Sequence, residues 1–436
     1  MKRLLLKKLL DWKQSPSRKP VLLDGARQTG KSFLLETLFG GHFEQVIRLD
    51  FLEQPGLANL FADSLKPDDI ITNIEIELNI SIDRQKDLII FDEVGECLAA
   101  LHSLKFFAEQ CPHMYLCASG SNIGLLDSFP VGKVEWLELY PMTFEEFLLA
   151  SNQPPLLKAF EQMNLGKVAH EKLFSLLIDY YFVGGMPEAV KAWFEIDKDI
   201  TERTRTVQQI HTSLLSGYER DFGKYSDKLS AQHIQAIFKN VPVQLSNTMD
   251  DSVKRFKFKD VLEKKSRYKE LAGPINWLEN CRLISKCHPI DCKPDSPLKP
   301  LAKENIFKLF LFDIGLLGHM LQINYKEHRD QKYHYKGFIA ENFIQNELIT
   351  LIGKPTYSWE YARSEIEFLY KTEAGDIVPV EVKSGKRTRA KSLQTYVQRY
   401  SPNTTLKLIG STGSLDDPAA RVLPLYYISK IKEILG

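Results

Sequence analysis

The run Val21-Leu22-Leu23, the loop Gly25-Ala26-Arg27-Gln28-Thr29-Gly30-Lys31-Ser32 and the apolar-spaced stretch Phe33–Phe39 follow one another closely in the chain. A glycine-rich loop of the form G-x-x-x-x-G-K-[ST] between a buried strand and a helix constrains the fold more than any other feature here. Its glycines let backbone N–H groups turn inward around phosphates, and the helix that follows directs its positive end to the same place. The Lys31 ammonium is then expected at the β- and γ-phosphates of a nucleoside triphosphate, and the Ser32 hydroxyl at a Mg²⁺ ion. A chance glycine-rich turn is the rival reading, and the flanking strand and helix weigh against it.

Leu88-Ile89-Ile90-Phe91 reads as a second buried strand, with Asp92 and Glu93 emerging at its C-terminal end, where α/β proteins place their ligand sites. Asp92 is expected in the Mg²⁺ shell, and Glu93 as the group that orients or activates the attacking water. A further strand ends in Ala118-Ser119-Gly120-Ser121-Asn122, where Ser121 or Asn122 is placed to contact the γ-phosphate or that water. Ser/Asn-rich turns are also ordinary loop chemistry. The chain lacks an NKxD-type guanine reader, so ATP is the expected nucleotide.

These runs, with Val46–Phe51, Tyr115–Ala118 and Val134–Leu139, alternate with helical stretches, a βαβ rhythm that implies a parallel sheet covered on both faces. From Phe144 to about Asp221 the periodicity is helical, broken at Gly184-Gly185-Met186-Pro187. Short helices and a Pro-containing hairpin near Cys287–Pro300 occupy roughly Ser226 to Leu321. A chain of 436 residues needs two or three cores, and a net charge of +1 supplies no global basic field, so any DNA-binding surface must be local. The leucines of Met1–Trp12 are interrupted by Lys7 and Lys8, as in an amphipathic helix rather than a signal peptide, and no apolar run is long enough for a membrane. The six cysteines form no CxxC pair, which points to a reducing cytoplasm. Cys281, Cys287, His288 and Cys292 could in principle ligate zinc, but their spacing matches no common zinc module, and the cysteines read as buried small hydrophobes.

Several motifs occur in a fixed order: Gly25–Ser32, Phe91-Asp92-Glu93, Ser119-Gly120-Ser121 followed by Leu125-Leu126, Leu139-Tyr140-Pro141-Met142-Thr143-Phe144-Glu145-Glu146-Phe147, and Gly184-Gly185-Met186-Pro187-Glu188. Together they resemble the prokaryotic, archaeal-ATPase-like AAA-type P-loop ATPases whose C-terminal half is a domain of unknown function. The resemblance implies an AAA-type core over 1–150, a helical lid over 151–225, a winged helix over 226–325 and a PD-(D/E)XK nuclease-like α/β domain over 326–436. Gly95 and Lys133 depart from the family pattern, the latter replacing a usual arginine. Arg220 is an alternative arginine finger, or else a surface residue paired with Glu219 or Asp221.

Near the C-terminus, Val378, Val380 and Val382 alternate with Pro379, Glu381 and Lys383, so a strand here buries the valines and projects Glu381 and Lys383 from the other face. A turn at Gly375-Asp376 leads back to a strand carrying Glu365 and Glu367, and the hairpin brings Glu367 near Glu381. This looks like a PD-(D/E)XK core, in which two acids hold Mg²⁺ and the lysine positions or activates water. Glu341 shares a helix face with Ile344 and Leu348, and the family pattern places a metal-site glutamate there. Glutamate replaces the family's usual aspartate at position 367. A Glu-x-Lys pair is also common as a solvated cross-strand pair, so catalysis and a silent fold both stay open. The basic loop Ser384-Gly385-Lys386-Arg387, with Arg389 and Lys391, is suited to phosphate backbone, and Val253–Leu271 is rich in lysine and arginine, diluted by Asp260, Glu263 and Glu270.

The expectation is an ATP-driven switch on nucleic acid, with a protein partner or a homo-oligomer also compatible. The rival is an ATP-dependent interaction protein whose nuclease-like domain is a silent docking module.

Overall fold

Apolar strands with helices between them fold as the βαβ rhythm requires. In the computed structural model, β1 (Val21–Asp24), β2 (Val46–Asp50), β3 (Leu88–Asp92), β4 (Tyr115–Gly120) and β5 (Glu135–Glu138) form one sheet in the order β2-β3-β4-β1-β5. All four pairings are parallel. The structure describes every residue except 122, 126–129, 196, 225–227, 248–254, 260, 263–266, 331–335, 354 and 386–390, and except the side chains of 224, 228, 229 and 336. Asn122, Leu126, Lys254, Asp260, Glu263, Lys264, Lys265, Lys386, Arg387 and Arg389 therefore lie outside the described residues.

Successive side chains of a strand point to opposite faces, and two cores result. Leu22, Ile89, Phe91, Leu116 and Ala118 join one core with Ile70, Ile74, Leu101 and Leu104 from the helices Pro67–Leu78 and Leu98–Gln110. Val21, Leu23, Leu88, Ile90 and Cys117 join the other with Leu9 and Trp12 of Leu5–Gln14 and Leu34, Leu35 and Phe39 of the π-type helix Phe33–Phe39. The chain divides into two compact units: Met1–Tyr140 with Asn280–Arg282, and Pro141–Glu279 with Leu283–Gly436. The first unit's main segment runs to Tyr140, and Asn280–Arg282 joins it from far along the chain.

The second unit opens with helices, among them Phe144–Ala150, Lys167–Val183, Pro187–Trp193, Ile200–Lys224, Lys228–Ser246 and Tyr268–Asn280. The first of these is closed by a reciprocal cap: the Thr143 hydroxyl accepts from Glu146 N, and a Glu146 carboxylate oxygen accepts from Thr143 N. A mixed sheet follows, made of β6 (Ile284–Ile290), β7 (Lys308–Leu311), β8 (Thr356–Tyr361), β9 (Ser364–Lys371), β10 (Ile377–Lys383), β11 (Thr405–Ile409) and β12 (Ala420–Pro424). Their order across the sheet is β12-β11-β10-β9-β8-β6-β7. β6 and β7 pair antiparallel, as a wing would, but β6 also pairs in parallel with β8. The hairpin expected as the wing of a separate domain is thereby the edge of the C-terminal sheet. No helix among the described residues is long and apolar enough to cross a membrane.

The glycine break Gly184-Gly185 has a physical cause. Gly185 accepts from Met142 N at 2.7 Å through its carbonyl and donates to Asp313 Oδ2 at 2.7 Å. A Cβ on Gly185 would lie 2.1 Å from the Met142 carbonyl oxygen. The motifs around Pro141 and Gly184 thus meet in space, on a carboxylate far away in sequence.

Candidate nucleotide site and C-terminal acid cluster

β1 delivers the chain into the loop Gly25–Ser32, whose tightness depends on residues that tolerate positive φ. Gln28 has φ 62° and Gly30 φ 89°. Gly25 is needed for space, since a Cβ there would sit 2.3 Å from the Leu139 carbonyl oxygen. Thr29 is buried and donates to Ala26 O at 2.8 Å. The Arg3 guanidinium donates to Thr29 O and to Tyr140 O, both at 2.7 Å, and so ties the loop to the N-terminal segment.

Lys31 is 5% exposed, and its ammonium donates to Gly25 O at 3.0 Å and Ala26 O at 3.1 Å. Burial lowers its pKa, while Glu93, Asp24 and Asp92 oppose that shift. Parallel pairing sets Asp92 opposite Asp50. The Asp92 carboxylate is nearly sealed and accepts from the Ser119 hydroxyl and from Arg48 Nε at 2.8 Å. Burial pushes its pKa up, but hydrogen bonds from Ser119, Ser32 and Arg48 outweigh that, and the net shift is downward. Glu93 sits in the left-handed region at φ 49°, uncommon for a non-glycine residue and typical of functional turns. Its Oε2 faces the backbone N–H of Ser121 at 3.4 Å, and Arg27 Nε reaches the Ser121 hydroxyl at 3.3 Å. The structure therefore assembles Lys31, Ser32, Asp92, Glu93 and Ser121 around one loop.

Three arginines of this region escaped the sequence reading. Arg3 and Arg48 are two. The third is Arg282, whose Nη2 lies 2.7 Å from Asp24 Oδ2 and 2.6 Å from Glu138 Oε1. Burial raises the Asp24 pKa and Arg282 opposes it. For Arg48 there was a signal, an arginine inside the apolar run Val46–Phe51; for Arg282, remote in sequence, there was none. Lys133 pairs with Glu109 at 2.8 Å, and Glu219 pairs with Lys239 at 3.0 Å.

In the second unit, β9 and β10 are antiparallel, with Val380 opposite Phe368, so Glu381 and Glu367 come one step beyond. The Glu367 carboxylate accepts from Val382 N at 3.0 Å and lies 3.2 Å from Lys383 Nζ, which is itself 3.4 Å from Glu381 Oε1. β10 differs from the expected half-solvated strand: Glu381 is 1% exposed, because both faces of this inner strand are covered. Its Oε2 is buried and has no hydrogen-bond partner among the described residues. Burial pushes the Glu367 carboxyl up to about 7. Glu341 is near enough to add to that shift, yet its own carboxylate lies 2.6 Å from the ammonium of Lys308, an additional residue that no motif marks. Lys308 also lies 3.8 Å from Glu365. Among the described residues, no three His, Cys, Asp or Glu side chains are gathered as a metal ion would require.

The cysteines show other uses. The Cys287 thiol is buried and hydrogen-bonded by Thr356 and Ser358, and His288 Nδ1 lies 3.1 Å from Ile306 O. In the basic segment, Arg255 pairs with Glu360.

With this geometry in hand, residues 17–148 match a family model described as an AAA domain. That match takes in the loop Gly25–Ser32 and all five strands of the parallel sheet. Residues 175–327 and 336–428 match two models described as domains of unknown function, DUF8612 and DUF4143. No curated protein matches the chain. Among solved structures, a Walker-type ATPase of Pyrococcus abyssi is similar at 14% identity and TM-score 0.45, over 72% of this chain and 94% of that one. A signal transduction ATPase (STAND) with a tetratricopeptide repeat sensor, from Pyrococcus horikoshii, aligns at 12% identity and TM-score 0.26, over 80% and 45%. Drosophila ORC bound to DNA aligns at 12% identity and TM-score 0.25, over 73% and 85%.

Proposed function

We propose that this protein binds and hydrolyses ATP with Mg²⁺ at Gly25–Ser32, and that this cycle controls the action of its nuclease-like C-terminal domain on DNA in the cytoplasm. The arrangement of Lys31 with Ser32, Asp92 and Glu93 carries the reading. The Lys31 ammonium rests on loop carbonyls that ATP phosphates would replace as acceptors. Ser32 and Asp92 offer adjacent hard oxygen donors suited to Mg²⁺, which supplies charge neutralisation at the β- and γ-phosphates when bound. Glu93, held in a strained turn facing Ser121 N, orients the attacking water. Hydrogen bonds from Ser119, Ser32 and Arg48 favour the ionised form of Asp92.

In the C-terminal domain, Glu381 and Lys383 take the catalytic roles, and the unpartnered Glu381 oxygen fits a cation shared with Glu367. One observation favours the second reading, a silent docking module for a protein partner or another copy. Glu341, expected to complete the metal site, is engaged by Lys308.

Nucleotide titration and turnover test the first part. Lys31→Ala should lose nucleotide binding, and Glu93→Gln should bind but not hydrolyse; normal hydrolysis by Glu93→Gln overturns its role. For the second part, single- and double-stranded DNA are incubated with Mg²⁺ or Mn²⁺, with and without ATP. Cleavage undiminished in Lys383→Ala sinks the nuclease assignment, and no DNA binding by any variant selects the docking reading.

A further inference from the structure

Among the described residues, Glu341, Glu365, Glu367 and Glu381 share the C-terminal cluster with Lys308 and Lys383, and they divide unevenly. At one end Lys383 lies between Glu367 and Glu381, and the Glu381 Oε2 atom is buried with no hydrogen-bond partner among the described residues. At the other end Lys308, at the start of β7, holds Glu341 at 2.6 Å and Glu365 at 3.8 Å. Lys308 is 14% exposed, and the two carboxylates offset the cost of burying its ammonium.

We propose that Lys308 is a built-in counter-ion that stands at the Glu341 end of the cluster in place of a divalent cation, confining any bound cation to Glu381 and Glu367. The inference takes the place of a cation from the nuclease-like reading and does not require cleavage. An ammonium is a compact point charge with three donors, able to satisfy two carboxylates at once. A dication at Glu341 would leave that ammonium buried beside it, without its short contact and facing a like charge, which is strongly unfavourable. At Glu381 the Lys383 ammonium meets Oε1 and leaves Oε2 with no donor among the described residues, and a cation there relieves it.

The test uses Mn²⁺ alone, titrated by electron paramagnetic resonance into nucleotide-free full-length Lys31→Ala protein, with further substitutions made in that background. Glu341→Gln should leave Mn²⁺ affinity unchanged, and Lys308→Met should raise it about tenfold or more. Lys308→Arg, which keeps the charge, should behave like its parent. The gain should vanish in Lys308→Met/Glu341→Gln. Loss of binding in Glu341→Gln, or an unchanged affinity in Lys308→Met, overturns the proposal. Should Lys308→Met fail to fold, the Glu341→Gln arm decides alone. Binding that appears only once Lys308 is removed supports the counter-ion and at the same time defeats the metal-dependent nuclease reading.

Discussion

Arg48 and Asp92 are joined across neighbouring strands, with Arg48 Nε 2.8 Å and Nη2 2.7 Å from the same Asp92 oxygen. Pairing of β2 with β3 sets Asp50 opposite Asp92, two like charges that would repel if unscreened. Arg48 Nη2 is also 2.5 Å from Asp50 Oδ2, so one guanidinium serves both carboxylates. Burial pushes the Asp92 pKa up, and the hydrogen bonds from Ser119, Ser32 and this fork together hold it below the usual carboxylate value.

Replacing Arg48 by Met should therefore destabilise the protein. Loss of one partner of a buried pair costs ~3–5 kcal/mol, and the partial exposure of Arg48 reduces the expected loss to about 1–3 kcal/mol. Urea unfolding at neutral pH reads it, and Arg48→Lys should recover part. The Asp92 pKa is depressed in the fold, so its stabilisation is present above the unfolded carboxylate value and lost as pH falls through the folded one. In Arg48→Met that acid loss should begin at higher pH.

Gly185→Ala should be severe. Its methyl would meet Met142 O at 2.1 Å and Met142 N at 2.7 Å, both backbone atoms that cannot swing aside. A loss of about 3 kcal/mol or insoluble protein is expected. Gly217→Ala is the control: it lies in the helix Ile200–Lys224 with nothing within 4 Å of the added methyl, and should gain about 0.5–1 kcal/mol. Thermal unfolding separates the two, and equal melting temperatures would refute the packing argument.

Glu347 governs a pH dependence of opposite sign to that of Asp92. It is 2% exposed, accepts from Phe144 N at 2.8 Å, and burial pushes its carboxyl up from 4.5 to about 8. The folded state holds this proton where the unfolded state has released it, so stability should fall as pH rises from about 4.5 to 8. Glu347→Gln keeps an oxygen acceptor for Phe144 N and removes the charge. It should flatten that part of the stability–pH curve and raise the melting temperature above pH 8. A curve unchanged from the parent would show that Glu347 does not titrate in this range.

The sequence made much of this visible for local reasons. Buried parallel strands read as apolar runs, so β1 to β5 were legible, and the terminal carboxylate of Leu88–Asp92 could be placed from its position alone. The hairpin of β9 and β10 was legible because a short turn dictates its register. β8 and β12 were not recognised, because their mixed residues become strands only by pairing with β9 and β11. The hairpin expected near Cys287–Pro300 takes in only the end of β6; β7 lies beyond it, and the parallel partner β8 lies far along the chain.

For the loop Gly25–Ser32, sequence alone determined the residue types, the flanking strand and helix, and hence the phosphate-binding chemistry, because each depends on neighbours in the chain. Only the tertiary structure decided which charges surround the acids. Arg48 beside Asp92, Arg282 beside Asp24 and Lys308 beside Glu341 are contacts between distant segments. A buried carboxylate must find a partner, but the physical demand does not say from which segment that partner comes.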